Sequence, residues 1–235
     1  FGLSQAQGVD HFVFPDYMAD LDALLRHYQP EGQIDLLGHS MGGNVVMMFA
    51  GARPERVHRL INLEGFGMPR TTPSMAPGRY RQWLNELQAM DAGDMNFKTY
   101  PSLDAVAQRL QKTNPRLRLD HAQFLASHWA QPTAGGQWAL LGHPAHKVVN
   151  PSLYQVDEMI SLYKAITAPT LCVLAQDNEM ASWWKGRYDL AEFRERIGHV
   201  PQLQLMELPE CGHMMHHDQP QALAEAISHF LYAAS

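Results

Sequence analysis

The sequence predicts an α/β fold in which a mostly parallel sheet carries helices on both faces and a helical segment is inserted. A strand, a tight turn and a helix follow one another over residues 34–50, and strand patterns recur at both ends of the chain. Between residues 68 and 167 the spacing is helical and is interrupted by prolines. At 235 residues with 46% apolar side chains, the chain is long enough for one large domain with an insertion.

The turn at residues 38–43 has the sequence GHSMGG and lies between an apolar run and a helical stretch. We expect glycines around Ser40, because close packing of strand against helix leaves no room for a Cβ. The hydroxyl of Ser40 then points away from the sheet. The helix N-terminus stabilises negative charge that develops on a substrate oxygen. The spacing therefore predicts a nucleophile at Ser40 and an oxyanion donor in the N–H of Met41.

A serine hydroxyl needs a neighbouring base, and that base needs a carboxylate to orient it. Near the C-terminus an alternating strand runs into a loop that contains Pro209 and Gly212 and ends at a helix near Gln219. His213 in this loop is the candidate base. The alternative is a metal site at His213 and His217, which the loop residues and the lack of a completing ligand disfavour.

Together these motifs resemble the α/β-hydrolase superfamily. Residues 1–4 are similar to the end of its Gly-x-Gly-x-Ser loop, and residues 17–28 to the helix before its elbow strand. Residues 38–43 are similar to its nucleophile elbow, and residues 212–220 to its histidine loop. The resemblance covers both ends of the chain and implies that the middle segment is a variable cap.

The resemblance implies a core domain in two parts, 1–67 and 168–235, on either side of a helical cap over 68–167. In this family, further strands and a loop with a second oxyanion donor precede the Gly-x-Gly-x-Ser loop. We therefore expect that the N-terminal strands are absent and that the second oxyanion donor lies upstream of Phe1. The elbow strand is then expected at a sheet edge, unpaired on one side and buried on both faces. The predicted core strands are residues 34–37, 60–63, 170–175 and 203–207.

Two sites compete for the acid. Family members usually carry an aspartate after the strand predicted here at 170–175. In this chain Asn178 occupies that position, and the candidate Asp177 lies one residue before it, with Glu179 on the other side. Some relatives instead place the acid at the end of the strand next to the elbow strand, where this chain has Glu64. A glutamate that ends an apolar strand is costly to leave unpaired, and this favours Glu64 over Asp177.

The resemblance implies a serine hydrolase that cleaves a carboxylic ester or related acyl bond of a small, partly apolar substrate, without a cofactor. Serine rather than aspartate at the elbow disfavours dehalogenase and epoxide hydrolase chemistry, which needs a carboxylate nucleophile. Thioesterase, lactonase, amidase and carbon–carbon bond hydrolase remain alternatives, because all of them use the same triad. A non-catalytic protein of this fold that binds a small apolar ligand is the alternative from another class. Trp183 and Trp184 are candidates for a pocket wall or a partner contact.

Composition disfavours several partner classes. The net charge is −6 and basic residues are scattered, which argues against nucleic acid. No apolar run approaches the roughly 18 to 20 residues of a membrane span. Cys172 lies in a predicted strand and Cys211 near the histidine loop, and neither requires a disulfide. This pattern predicts a reducing compartment, the cytoplasm. The resemblance implies a small-molecule substrate as the partner.

Overall fold

The computed structural model describes residues 2–4, 8–9 and 11–232, so Phe1 of the predicted Gly-x-Gly-x-Ser loop lies outside the described residues. The strands are β1 Ile34–His39, β2 Val57–Leu63, β3 Thr99–Tyr100, β4 Ala130–Pro132, β5 Trp138–Leu140, β6 Thr170–Ala175 and β7 Leu203–Leu208. The helices are α1 Phe14–Tyr28, α2 Met41–Ala52, α3 Ala76–Asp91, α4 Leu103–Thr113, α5 Leu119–Trp129, α6 Val156–Ala165, α7 Met180–Trp183, α8 Leu190–Ile197, α9 Met215–Asp218 and α10 Pro220–Tyr232.

Four strands form one parallel sheet in the order β1-β2-β6-β7. The predicted strands are present and each lies within one of these four. Because the strands are parallel, their carboxyl ends meet at one edge of the sheet, where ligand sites of α/β folds are found. β1 ends there directly before Ser40, and β2 ends directly before Glu64. The loop that carries His213 follows β7 at the same edge.

Helices cover both faces of the two central strands, as predicted. All residues of β6 are buried, and β2 exposes only its second position. One face packs against side chains of α2, α6 and α8, such as Met47, Met159 and Phe193. The opposite face packs against α10 through Leu223 and Phe230. Central parallel strands are buried on both sides, and this explains their nearly continuous apolar sequences.

The prediction that the elbow strand is buried on both faces is wrong. Within the described residues, β1 pairs with β2 along one side, and its side chains alternate between burial and exposure. Leu36 is 8% exposed, whereas the next residue, Leu37, is 46% exposed. Successive side chains of a strand point to opposite faces, and α2 covers the face that contains Leu36. The apolar run at the start of β1 therefore belongs to a strand that is buried on one face only.

The described chain divides into two compact units. The parallel sheet belongs to the unit formed by Phe14–Thr72 and the chain from Tyr154 onward. The helix α6, which the sequence placed in the insertion, also belongs to this unit and packs on α2. The helix belongs to this unit because its buried residues, including Met159 and Tyr163, are part of the core cluster on the face of the sheet that α2 covers.

The other unit contains Pro73–Leu153 and the described residues before Phe14. The sequence predicted only helices over this segment, but an antiparallel sheet of β3, β5 and β4 is also present. Its strands are two or three residues long, too short to show an alternating pattern. Helices α4 and α5 pack through Val106, Ala122 and Ala126 to form a separate small core.

Candidate active site

The backbone of the elbow is strained at Ser40. Ser40 has φ 54° and ψ −116°, a conformation that non-glycine residues rarely adopt. Its N–H donates to the carbonyl of Leu63 at 2.8 Å, which joins the turn to the end of β2. A Cβ at Gly38 would lie 2.2 Å from the carbonyl oxygen of Gly42. Close approach of β1 to α2 therefore excludes a side chain at residue 38.

The prediction that packing leaves no room for a Cβ is wrong for Gly42, the second glycine of the Gly-x-Ser-x-Gly motif. A Cβ at Gly42 would meet no atom within 4 Å, so packing does not require glycine there. The crowded residue is Gly43, whose Cβ would lie 2.6 Å from Oδ1 of Asn62 and 2.9 Å from Cα of Gly65. The first turn of α2 passes directly over the end of β2, and this close approach explains the difference.

These two glycines give a matched pair of substitutions. We expect Gly38→Ala to lower the free energy of unfolding by about 3 kcal/mol, because the added methyl group meets backbone that cannot move aside. Gly42→Ala is expected to change it by less than about 1 kcal/mol, since the site is open and helical. Urea denaturation of both variants measures the difference. Equal destabilisation would show that the turn is not packed as described.

A chain of hydrogen bonds joins Ser40, His213 and Glu64. Oγ of Ser40 lies 2.9 Å from Nε2 of His213, and Nδ1 of His213 lies 2.8 Å from Oε2 of Glu64. An ionised carboxylate only accepts hydrogen bonds, so Nδ1–H of His213 is the donor to Glu64. Nε2 of the neutral ring then accepts the hydrogen bond from the Ser40 hydroxyl. This tautomer leaves His213 able to take a proton from Ser40.

Both carboxylate oxygens of Glu64 are used. Oε1 accepts the backbone N–H of Ala175 at 2.8 Å, while Oε2 faces His213. The residue is 1% exposed, which is rare for a carboxylate without partners. Its backbone has φ 50°, and its N–H donates to the carbonyl of Val173 at 3.2 Å. The end of β6 thus supplies backbone groups that hold the Glu64 carboxylate.

Two asparagines, which were not predicted from the sequence, hold the turn after Glu64. Asn62 is fully buried, and its side chain accepts from the N–H of Gly65 at 2.7 Å and donates to the Gly65 carbonyl at 3.2 Å. Asn44 on α2 accepts from the N–H of Gly67 at 2.8 Å. These bonds satisfy backbone groups at the left-handed turn around Glu64. A polar residue within the apolar run of β2 was the available signal.

Asp177, the alternative acid, lies elsewhere at the strand ends. It is exposed, and its backbone N–H donates to the carbonyl of Cys211 at 3.2 Å. Its neighbour Asn178 is partly exposed. The carboxylate that meets the His213 ring is that of Glu64. Of the two acid candidates, the structure therefore brings Glu64 to the base.

Met41 is the first residue of α2, at the position expected of an oxyanion donor. The first N–H groups of a helix have no intrahelical acceptor, so they are available to a ligand beside Ser40. The helix dipole adds partial positive charge at the same end. The first turn closes through a bond of 3.2 Å from the N–H of Asn44 to the carbonyl of Ser40. Met41 itself is 46% exposed.

His39 also supports the site but was not predicted, although it directly precedes Ser40. Its Nε2 donates to the backbone carbonyl of His213 at 2.7 Å, and its ring lies 4.8 Å from the His213 ring. Burial lowers the pKa of His39 below its usual value, opposed by the hydrogen bond to His213. A neutral His39 therefore anchors the loop that carries His213.

His216 packs against His39, with ring centroids 4.6 Å apart, and contacts His217 at 4.1 Å. Burial, reinforced by the neighbouring His217, His39 and His213, lowers the pKa of His216 to about 4. Its Nδ1 is buried and has no hydrogen-bond partner among the described residues. Protonation of this ring in the folded state is therefore unfavourable.

The His216 pKa predicts a loss of stability in acid. Between pH 6.5 and about 4 the unfolded chain binds a proton at His216 that the folded chain does not, so the free energy of unfolding falls as pH decreases. Allowing for partial exposure, we expect a decrease on the order of 1 kcal/mol. In His216→Phe this part of the pH dependence should disappear. Urea denaturation at pH 7 and pH 4.5 measures it, and an unchanged difference in the variant would contradict the assignment.

Aromatic rings surround the His213 imidazole. Phe66 is buried and lies nearly parallel to it at 6.4 Å, and Trp183 lies nearly perpendicular to it at 4.6 Å. The carbonyl of Phe66 accepts a hydrogen bond of 2.5 Å from the hydroxyl of Tyr188. Trp184 packs on Tyr188 at 5.2 Å. Trp183 and Trp184 thus differ in position: the first contacts the base, and the second joins the core.

The predicted metal alternative concerned His213 and His217. In residues 2–4, 8–9 and 11–232 there is no group of three or more histidine, cysteine or acidic side chains arranged to hold a metal ion. His213 lies in the loop before α9, whereas His217 is on that helix, so the two do not share a helix face.

Over the same residues, no helix has the length and apolar character needed to cross a membrane. Cys172 and Cys211 are buried and, within the part of the chain that the structure describes, neither forms a disulfide.

Known proteins resemble this chain over most of its length. The family model for the alpha/beta hydrolase fold matches residues 1–220. A serine hydrolase-like protein from Danio rerio is 24% identical over 95% of this chain and 68% of its own length. The sn-1-specific diacylglycerol lipase from Mus musculus is 25% identical over 83% of this chain and 58% of its own length. The chain thus spans about three fifths to two thirds of these curated relatives.

A solved structure has the same fold. The hypothetical protein PA1622 from Pseudomonas aeruginosa PAO1 superposes with a TM-score of 0.81 at 23% identity and covers 97% of this chain and 77% of its own. The family match extends over both segments of the sheet unit and includes the elbow and the histidine loop. The chain therefore belongs to the α/β-hydrolase fold family, among its serine hydrolases.

Proposed function

We propose that this chain cleaves a carboxylic ester, or a related acyl bond, of a small and partly apolar substrate through an acyl-enzyme. The observation that carries the proposal is the hydrogen-bonded chain from Ser40 through His213 to Glu64, with distances of 2.9 and 2.8 Å. A serine hydroxyl in this arrangement can lose its proton to the imidazole as it attacks.

The geometry supports the following roles. Oγ of Ser40 attacks the acyl carbon, and Nε2 of His213 accepts the Ser40 proton. The carboxylate of Glu64 holds the ring through Nδ1–H and stabilises the imidazolium that forms. The N–H of Met41 donates to the oxyanion. His213 then passes its proton to the leaving group. A water that gives a proton to His213 attacks the acyl carbon, and His213 returns this proton to Oγ of Ser40 as the bond between Ser40 and the acyl carbon breaks.

Two features support an apolar acyl substrate. The first is Met41, which directly follows Ser40 at the start of α2 and is 46% exposed. An exposed apolar residue next to the nucleophile favours an apolar acyl group. The mouse relative is named as a diacylglycerol lipase, an activity on carboxylic esters that agrees with this class.

Turnover of p-nitrophenyl acetate, butyrate and octanoate tests the proposal. We expect hydrolysis above the buffer rate, a pre-steady-state burst, and an acyl adduct on Ser40 in acid-quenched samples analysed by mass spectrometry. Thermal stabilisation by the esters without product release would instead favour the non-catalytic ligand-binding alternative. Faster reaction with thioesters or lactones than with matched oxygen esters would move the assignment to those classes.

A further inference from the structure

Trp183 contacts the imidazole that the proposed function makes the base. Its ring centroid lies 4.6 Å from that of His213, at an interplanar angle of 80°. This is closer than the ring of Phe66, whose centroid lies 6.4 Å away on a nearly parallel plane. Edge-to-face contacts at such distances are favourable and directional. Trp183 therefore restricts both the tilt and the sideways movement of the His213 ring.

The indole of Trp183 is itself held in place. Its Nε1–H donates to Oε2 of Glu179 at 3.1 Å, and its backbone N–H donates to the carbonyl of Glu179 at the same distance. Its ring also contacts Phe66 at 6.2 Å and Trp184 at 5.7 Å. A large apolar side chain that is 39% exposed is thus fixed by a hydrogen bond and by two rings of the core.

The hydrogen bonds of His213 leave part of its motion unrestricted. The bonds to Glu64 and Ser40 are made at Nδ1 and Nε2, and two such bonds leave the ring able to tilt about the line that joins these atoms. The side chain of His213 is 21% exposed, so the surrounding core does not fully enclose it. Contact with a fixed indole on one side opposes this tilt.

We propose that Trp183 is a positioning residue that holds the His213 imidazole in line with Oγ of Ser40. This inference rests on the proposed function and adds a residue to it. A base that takes a proton from Ser40 and later gives it to a leaving group needs its Nε2 within a few tenths of an ångström of the reacting atoms. Glu179 contributes indirectly by fixing the indole.

The test is a series at residue 183 in the full chain. Trp183→Phe keeps an aromatic face, and Trp183→Leu keeps apolar bulk without the aromatic contact. We expect Trp183→Leu to lower kcat about three- to tenfold, equally for acetyl, butyryl and octanoyl esters, with little change in KM. Trp183→Phe should recover most of this loss. The rate of labelling by a small fluorophosphonate should fall in the same order.

A pocket wall would behave differently. In that case the loss would grow with acyl length and appear in KM, and such a result would overturn the positioning role. Equal kcat in all three proteins would overturn it as well. Circular dichroism and thermal unfolding of each variant serve as the control for misfolding. We expect both variants to fold, because residue 183 is partly exposed and lies outside the core cluster.

A second readout does not depend on turnover. With ¹⁵N-labelled histidine, the Nδ1 proton in the bond to Glu64 should give a resolved downfield signal, assigned by its loss in His213→Gln. We expect this signal to broaden in Trp183→Leu and to be restored in Trp183→Phe. If the unaltered chain is active and the signal of Trp183→Leu is unchanged, only the role of Trp183 is overturned. Absence of ester turnover and serine labelling in the unaltered chain would overturn the proposed function, and the role of Trp183 with it.

Discussion

Ser40→Ala is expected to lower kcat/KM for p-nitrophenyl esters by at least about 10⁴-fold, the scale measured when a triad nucleophile is removed. The substitution keeps the Cβ, so the strained backbone at φ 54° and the packing of the elbow are unchanged. We therefore expect no loss of thermal stability. The assay is initial-rate hydrolysis of p-nitrophenyl butyrate, with the urea midpoint as the control for folding. Residual activity within tenfold of the unaltered chain would show that another group is the nucleophile.

Glu64→Gln is expected to lower kcat about 10³- to 10⁴-fold. The glutamine amide has the same shape, but where its NH₂ group faces Nδ1 of His213 the ring must accept at that atom. The proton then resides on Nε2 and points at Ser40, so the ring can no longer act as the base. Buried Oε1 of Glu64 accepts from the N–H of Ala175, and the amide oxygen of glutamine can keep that bond.

Asp177→Asn is the matched control for this prediction. Its carboxylate is exposed, and the structure brings Glu64 rather than Asp177 to the His213 ring. We expect the variant to keep kcat within about twofold of the unaltered chain. Both variants are compared by steady-state hydrolysis over several substrate concentrations. A larger loss in Asp177→Asn than in Glu64→Gln would assign the acid to Asp177 and contradict the proposed roles.

The parts of the site that could be predicted from sequence are those fixed by local pattern. Ser40 lies in a strand–turn–helix motif whose glycine at residue 38 has a packing cause. His213 lies in a loop between an alternating strand and a helix. Each requires only short-range order along the chain. These two residues are more than 170 positions apart, and the parallel sheet brings them together by aligning the carboxyl ends of its strands.

Short-range sequence pattern does not decide which carboxylate is the acid, because that depends on how the strand ends are arranged in space. Both Glu64 and Asp177 follow adjacent strands of the sheet, and either could face the loop of His213. The register of β2 against β6 places the N–H of Ala175 at the Glu64 carboxylate. The glutamate side chain, which is longer than that of aspartate, reaches the His213 ring. The cost of an unpaired buried carboxylate favoured the same residue. For Asn62, which supports this turn, the only signal was a polar residue within an apolar stretch, which does not show what the side chain binds.

The contacts of His39 and Trp183 with His213 could not be predicted from the sequence. His39 lies within the motif, but its bond to the His213 carbonyl depends on a loop from the other end of the chain. Trp183 lies on a helix of four residues, too short to show periodicity, so its direction could not be inferred. The short strands β3, β4 and β5 were missed for the same reason.

The most direct test of the central claim is labelling with a fluorophosphonate, followed by peptide mass spectrometry to locate the adduct. We expect a single adduct on Ser40, no adduct in Ser40→Ala, and labelling in Glu64→Gln slowed at least about a hundredfold. An adduct on another residue, or no adduct in the unaltered chain, would contradict the assignment of Ser40 as a nucleophile activated by His213 and Glu64.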